Sequence, residues 1–75
     1  MAPENLIGSI WMHARRMTWY RITMVAMMQS KDRSFDYNPI VIYQADDGSL
    51  WARTASEFFD GRFTHCPETA WPREL

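Results

Sequence analysis

Residues 40–53, IVIYQADDGSLWAR, leave the chain few choices. Four β-formers in succession, Ile40 to Tyr43, run into Asp47-Gly48 and then into Leu50-Trp51-Ala52-Arg53. Gly tolerates the positive φ that a tight reversal needs, and Asp before Gly is a standard hairpin signal. A hairpin is therefore expected here. Along its return strand Trp51 and Arg53 share one face and Leu50 and Ala52 the other, because successive side chains alternate. With Leu50 and Ala52 turned inward, Trp51 and Arg53 would point out.

A lone hairpin is barely stable in water, so the rest of the chain must supply more strands. "IGSIWMH", from Ile7 to His13, reads as a first strand with Trp11 and His13 on one side, and "ARRM" makes a polar corner. "TWYRITMVAMMQ" favours a second, longer strand through Tyr20, Ile22, Thr23 and Val25. A helix is its rival, because Met and Ala suit one, but no cap and stop frame it. The face Tyr20, Ile22, Met24, Ala26 and Met28 is the more apolar and is assigned to the core. "SKDRSFDYNP" reads as a loop, since the residue before a proline avoids helix. Thr54 or Ser56 can cap a single helical turn through "SEFFD", Gly61 ends it, and "RFTHC" is a final short strand. No internal repeat or low-complexity stretch is evident.

These elements make a mainly β fold, five short strands in a strongly bent barrel with one helical turn before the last strand. Closure would hide edges that so small a protein cannot otherwise cover. The single domain is placed at residues 7–66, after a lead-in at 1–6 and before a tail at 67–75 that Trp71 could tether. Seventy-five residues bury one modest core, and a single cysteine, Cys66, rules out an internal disulfide. With 15% aromatic residues, that core has to be built from rings.

The order "GSIWMH", "WYRITMVA", "IVIYQ", "DGSLWAR", "EFFDGRF" resembles the family of short bacterial and phage proteins catalogued as domain-of-unknown-function 1653. The resemblance spans Gly8 to Phe63 and implies an SH3-like barrel, often of phage or mobile-element origin, with no established reaction. The chain departs from that pattern at Thr54, where a proline is usual, and in the Met-rich "MVAMM" and the "SKDRSFDYN" loop.

The net charge of −1 lacks the basic excess of a protein that lives on phosphates, so duplex nucleic acid is not an expected partner. The longest apolar run, Met24 to Met28, is too short to span a bilayer. With one cysteine and no leader sequence, a cytoplasmic location is expected. His65-Cys66 invites a metal or nucleophile reading, but adjacent strand residues point to opposite faces and zinc wants about four ligands. Glu57 and Asp60 read as a solvated face. No metal, cofactor or catalytic set is expected, and the chain is read as a non-enzyme.

Surplus rings and arginines point to a binding module instead. Trp11 and His13 on the first strand and Trp19 and Arg21 on the second would line one surface if the strands pair. Trp51 and Arg53 would form an aromatic and guanidinium platform suited to a base or a phosphate, unless Trp51 is covered and Arg53 is stacked or paired with Asp46, Asp47 or Glu57. Phe35 and Tyr37 would act as a lid, and Arg15 and Arg16 would add positive potential. The methionines Met17, Met24, Met27 and Met28 are core or an adaptable patch, which favours a homo-oligomer. The partner is expected to be a host protein or a small nucleotide-like ligand, the chain inhibiting a host defence or sequestering a nucleotide signal. A barrel that binds single-stranded nucleic acid is the alternative.

Overall fold

A computed structural model describes residues 6–29 and 39–71; the expected lid residues Phe35 and Tyr37 lie outside the described residues. Five strands form one antiparallel sheet: β1 (Ile10–His13), β2 (Thr18–Ala26), β3 (Ile40–Ala45), β4 (Leu50–Thr54) and β5 (Phe63–Cys66). A helical turn, α1 (Ala55–Phe58), sits between β4 and β5, and a 3₁₀ turn follows at Glu68–Ala70. Thr54 caps α1 by accepting the Glu57 amide; the helix ends at its C-cap, Phe59, and Gly61 at φ 107° lies two residues further on, in the turn to β5. The β-branched and aromatic residues of β2 thus prevail over the helical preference of Met and Ala.

The strand order is β4-β3-β2-β1-β5, and no ladder joins the edges β4 and β5 among the described residues. The expected closed barrel is therefore not formed by hydrogen bonds. The sheet curls all the same, for Arg53 on one edge lies over the Phe63 ring on the other, 5.8 Å from its centroid. Between them α1 inserts Phe58, which is fully buried and stacks on Phe63 at 4.2 Å. A wedge of rings holds the two edges, where a ladder would have zipped them.

The inner face carries Trp11, Tyr20, Ile22, Val41, Tyr43 and Phe63 around Phe58. Ring pairs run edge to face between Trp11 and Phe58 (5.4 Å), Tyr20 and Tyr43 (5.2 Å), and Tyr43 and Phe63 (5.5 Å). Quadrupoles favour this geometry, and each pair adds roughly 0.5–1.5 kcal/mol to simple area burial.

Two expected faces are corrected by register. The β2–β3 ladder shifts between Ile22 and Met24: Ile22 pairs with Tyr43, but Met24 pairs with Ile42. One extra residue, Thr23, makes a bulge there and reverses the alternation. Met24 and Ala26 consequently leave the core face for the outer one, and Met24 is 52% exposed. In the second hairpin Ala45 donates to Ser49, enclosing Asp46, Asp47 and Gly48, with Gly48 at φ 90°. That three-residue loop sets Trp51 opposite Tyr43 and Arg53 opposite Val41. A two-residue Asp47-Gly48 loop would have set Ala52 opposite Tyr43. Trp51 and Arg53 therefore lie on the inner face, and Leu50 and Ala52 on the outer.

The tail does return to the body. Arg21, on the outer face, donates to both carboxylate oxygens of Glu68, at 2.9 and 3.4 Å, and to the Gly8 carbonyl. Its guanidinium also lies 5.0 Å from the Trp71 ring centroid. Ile10, which pairs with both Arg21 and Cys66, is 1% exposed in this region.

Candidate functional site

The gap between the two sheet edges opens as a hollow of about 510 Å³ lined by His13, Ala14, Arg15, Arg16, Arg53, Gly61 and Arg62. Three separate pieces of chain bring the cations there. The β1–β2 turn supplies Arg15 and Arg16, separated from His13 by Ala14, with Met17 at φ 56° donating its amide to the His13 carbonyl. β4 contributes Arg53 from its inner face. The α1–β5 turn contributes Arg62, drawn in because Ala14 donates to the Arg62 carbonyl and His13 pairs with Phe63.

The arginines differ in how firmly they are held. Arg53 donates from Nε to the Tyr43 hydroxyl at 3.1 Å, lies over Phe63, and approaches Glu57 at 3.7 Å. Arg62 pairs with Asp60 at 3.0 Å. Arg15 and Arg16 are exposed and have no ion pair among the described residues. At the centre, His13 sets its ring edge-on to Phe63 at 5.1 Å and accepts the Arg16 backbone N–H at Nδ1, 3.2 Å away. Desolvation pulls its pKa below the ordinary value, and the positive fields of Arg16, Arg53, Arg62 and Arg15 pull it further the same way. Four guanidinium groups stand against the carboxylates Glu57 and Asp60, so a molecule of net charge −1 carries a local positive basin. Two guanidinium forks with no ion pair among the described residues suit a multivalent anion such as phosphate.

The sequence-derived surface is divided by the sheet. Trp11 is 5% exposed, enclosed by Phe58, Phe59 and His65, so it is core and not contact surface. β1 pairs Met12 with Trp19 and Ile10 with Arg21, which puts Trp19 and Arg21 on the face opposite Trp11 and His13. The expected four-residue patch does not exist, because directly opposed residues share a face and these are not opposed. Arg21 is spent on Glu68 and Trp71. His13 and Arg53 do meet, in the seam. Trp51 shares the face of Arg53 and is 52% exposed.

Arg62 was missed by sequence reasoning. Its only signal is the β1–β5 pairing, which brings the residue before Phe63 next to the residue after His13. His65 and Cys66 lie on opposite faces of the sheet: His65, exposed, pairs with Trp11 on one, and Cys66 pairs with Ile10 on the other. Among the described residues no three of His, Cys, Asp and Glu cluster as metal ligands, and no helix is long and apolar enough to cross a membrane.

Fold and site together define the class, a small antiparallel β protein with an arginine-lined seam. No protein-family model, curated protein or solved structure matches the chain.

Proposed function

We propose that this chain is a non-enzymatic binding module, an SH3-like barrel left open along one side, whose seam takes a phosphate-bearing anion. The supporting observation is the convergence of Arg15, Arg16, Arg53 and Arg62 on His13 around one hollow. The summed field of such a cluster, gathered in one hollow, draws anions in. The resemblance to domain-of-unknown-function 1653, a phage or mobile-element origin, and action by occupying a ligand of host defence in the cytoplasm belong to the same proposal.

Self-association is proposed too. After the bulge the outer face of β2, β3 and β4 carries Met24, Ala26, Ile40, Ile42, Leu50 and Ala52, with no charge among them. Sedimentation of wild type against Met24→Lys tests that contact.

The seam is tested by calorimetric titration with pyrophosphate at low salt. Wild type is expected to bind, more weakly as salt rises, and Arg15→Gln/Arg16→Gln to bind at least about tenfold more weakly, a charge-assisted bond or more lost per site. A wild-type protein that leaves pyrophosphate free at low salt would overturn the proposal.

A further inference from the structure

Gly-Ser-x-Trp occurs twice in this chain, as Gly8-Ser9-Ile10-Trp11 and as Gly48-Ser49-Leu50-Trp51. The two copies have the same local structure. Each glycine holds positive φ, 89° and 90°, and each serine hydroxyl accepts its indole N–H at 2.8 Å. Each indole is thus tied back to the start of its own strand.

The surroundings differ. The Trp11 ring is enclosed by Phe58 at 5.4 Å, Phe59 at 5.5 Å and His65 at 5.1 Å. The Trp51 ring, though its residue pairs with Tyr43 across the strands, makes no ring-to-ring contact among the described residues and stands half exposed. Its tie is nevertheless as complete: Ser49 Oγ donates to Asp47 Oδ1 at 2.6 Å and the Ser49 amide to the same carboxylate at 2.9 Å, just as Ser9 Oγ and the Ser9 amide donate to the Leu6 carbonyl. Fixing a large apolar ring in water forfeits rotamer entropy and leaves its area solvated. A ring held in place yet uncovered is prepared for a flat partner, because the ordering cost is met before the partner arrives.

Trp51 does not itself line the hollow but stands two residues from a side chain that does. It shares the inner face of β4 with Arg53, which lines the hollow, and two residues along a strand separate side chains by roughly 7 Å. A planar ring on Trp51 and a phosphate among the arginines are then within reach of one small molecule.

We infer that Trp51 is the stacking platform for the heterocycle of a ligand whose phosphate occupies the seam, so that the ligand class is a nucleotide. The inference rests on the anion reading of the seam and adds the ring to it. Stacking alone accepts any base, because every base offers a π face. A free nucleotide and one within a single strand share this chemistry.

The test compares a nucleoside 5′-monophosphate, ribose 5-phosphate, pyrophosphate and a single-stranded hexanucleotide by calorimetry on the full chain. The nucleotide is expected to bind roughly 5- to 150-fold more tightly than ribose 5-phosphate, the range covered by stacking one base. Trp51→Leu is expected to abolish that preference while binding ribose 5-phosphate as wild type does, and Trp51→Phe to retain most of it. Circular dichroism confirms that both variants fold. Equal affinity for nucleotide and ribose 5-phosphate, or a preference that survives Trp51→Leu, overturns the stacking platform and leaves the seam standing. No binding of any probe, pyrophosphate included, overturns both. Tighter binding of the hexanucleotide than of the monomer identifies a single strand as the source, and the reverse identifies a free nucleotide; either result supports the platform.

Discussion

Ser9 and Ser49 accept the same bond from the same kind of indole, yet their loss is expected to cost different amounts. Ser9→Ala strands the N–H of a buried ring, and an unmet buried donor costs about 1–3 kcal/mol. Ser49→Ala exposes its donor to water and is expected to stay within about 0.5 kcal/mol. Urea unfolding of the two variants measures the contrast, and equal losses would contradict the placement of the two rings. His13 gives a second expectation at this scale. Desolvation first, and the surrounding arginines after it, lower its proton affinity on folding. The unfolded chain then binds more protons below the ordinary histidine value of about 6.5. Stability is therefore full above that pH and falls as the pH drops through it, and His13→Asn is expected to flatten that part of the profile. Anion binding has the opposite sign, because an anion in the hollow favours the imidazolium. Sulfate, which does not titrate in this range, is expected to bind more tightly at pH 5.5 than at pH 8 (about one unit either side of the histidine range) in wild type but not in His13→Asn.

Strands and turn were largely legible as elements; their faces were legible only in part, Tyr20 and Ile22 being core as expected while Met24, Ala26, Trp51 and Arg53 were reversed. IVIYQ, DGS, LWAR and the capped turn at Thr54 carry local signals, and local signals find elements. A face depends on the parity of residues in a turn or a bulge, and parity has no local signal here. One residue in the Asp46–Gly48 loop decides whether Trp51 or Ala52 meets Tyr43, and Thr23 alone turns Met24 outward. A slip of one residue moves a whole strand to the other face. The candidate site suffered in the same way. His13, Arg53 and the Arg15-Arg16 corner were visible as residue types, but their meeting with Arg62 depends on β1 pairing with β5, which are far apart in the chain. The glycine that fixes the turn is open to test. Gly48→Ala places a Cβ at φ 90° and is expected to cost about 1–2 kcal/mol, read as a Tm lowered by roughly 4–8 °C per kcal/mol. α1 contributes mainly Phe58, and Phe58→Ala is expected to cost about 3–5 kcal/mol. That is most of the stability of so small a domain, and near-UV circular dichroism would show the ring packing lost.

As a whole, the molecule is a sheet whose curl is maintained by rings and whose open side collects charge. Its outer face has two halves, one where Arg21, Glu68 and Trp71 draw the tail in and one left apolar by the bulge. The inner face is filled by aromatic side chains up to the seam, and there the arginines take over. Stability and the proposed binding thus fall to adjoining residues: Phe63 opens β5 directly after Arg62, and Tyr43 on β3 accepts from Arg53 on β4. The most direct test is an amide and side-chain NMR titration of the full chain with pyrophosphate at low salt. Shifts confined to His13–Arg16, Arg53 and Gly61–Arg62, saturating together, are the expected result. Shifts centred on Arg21 and Trp71, or a spectrum that does not change, would contradict the assignment of the seam as the binding site.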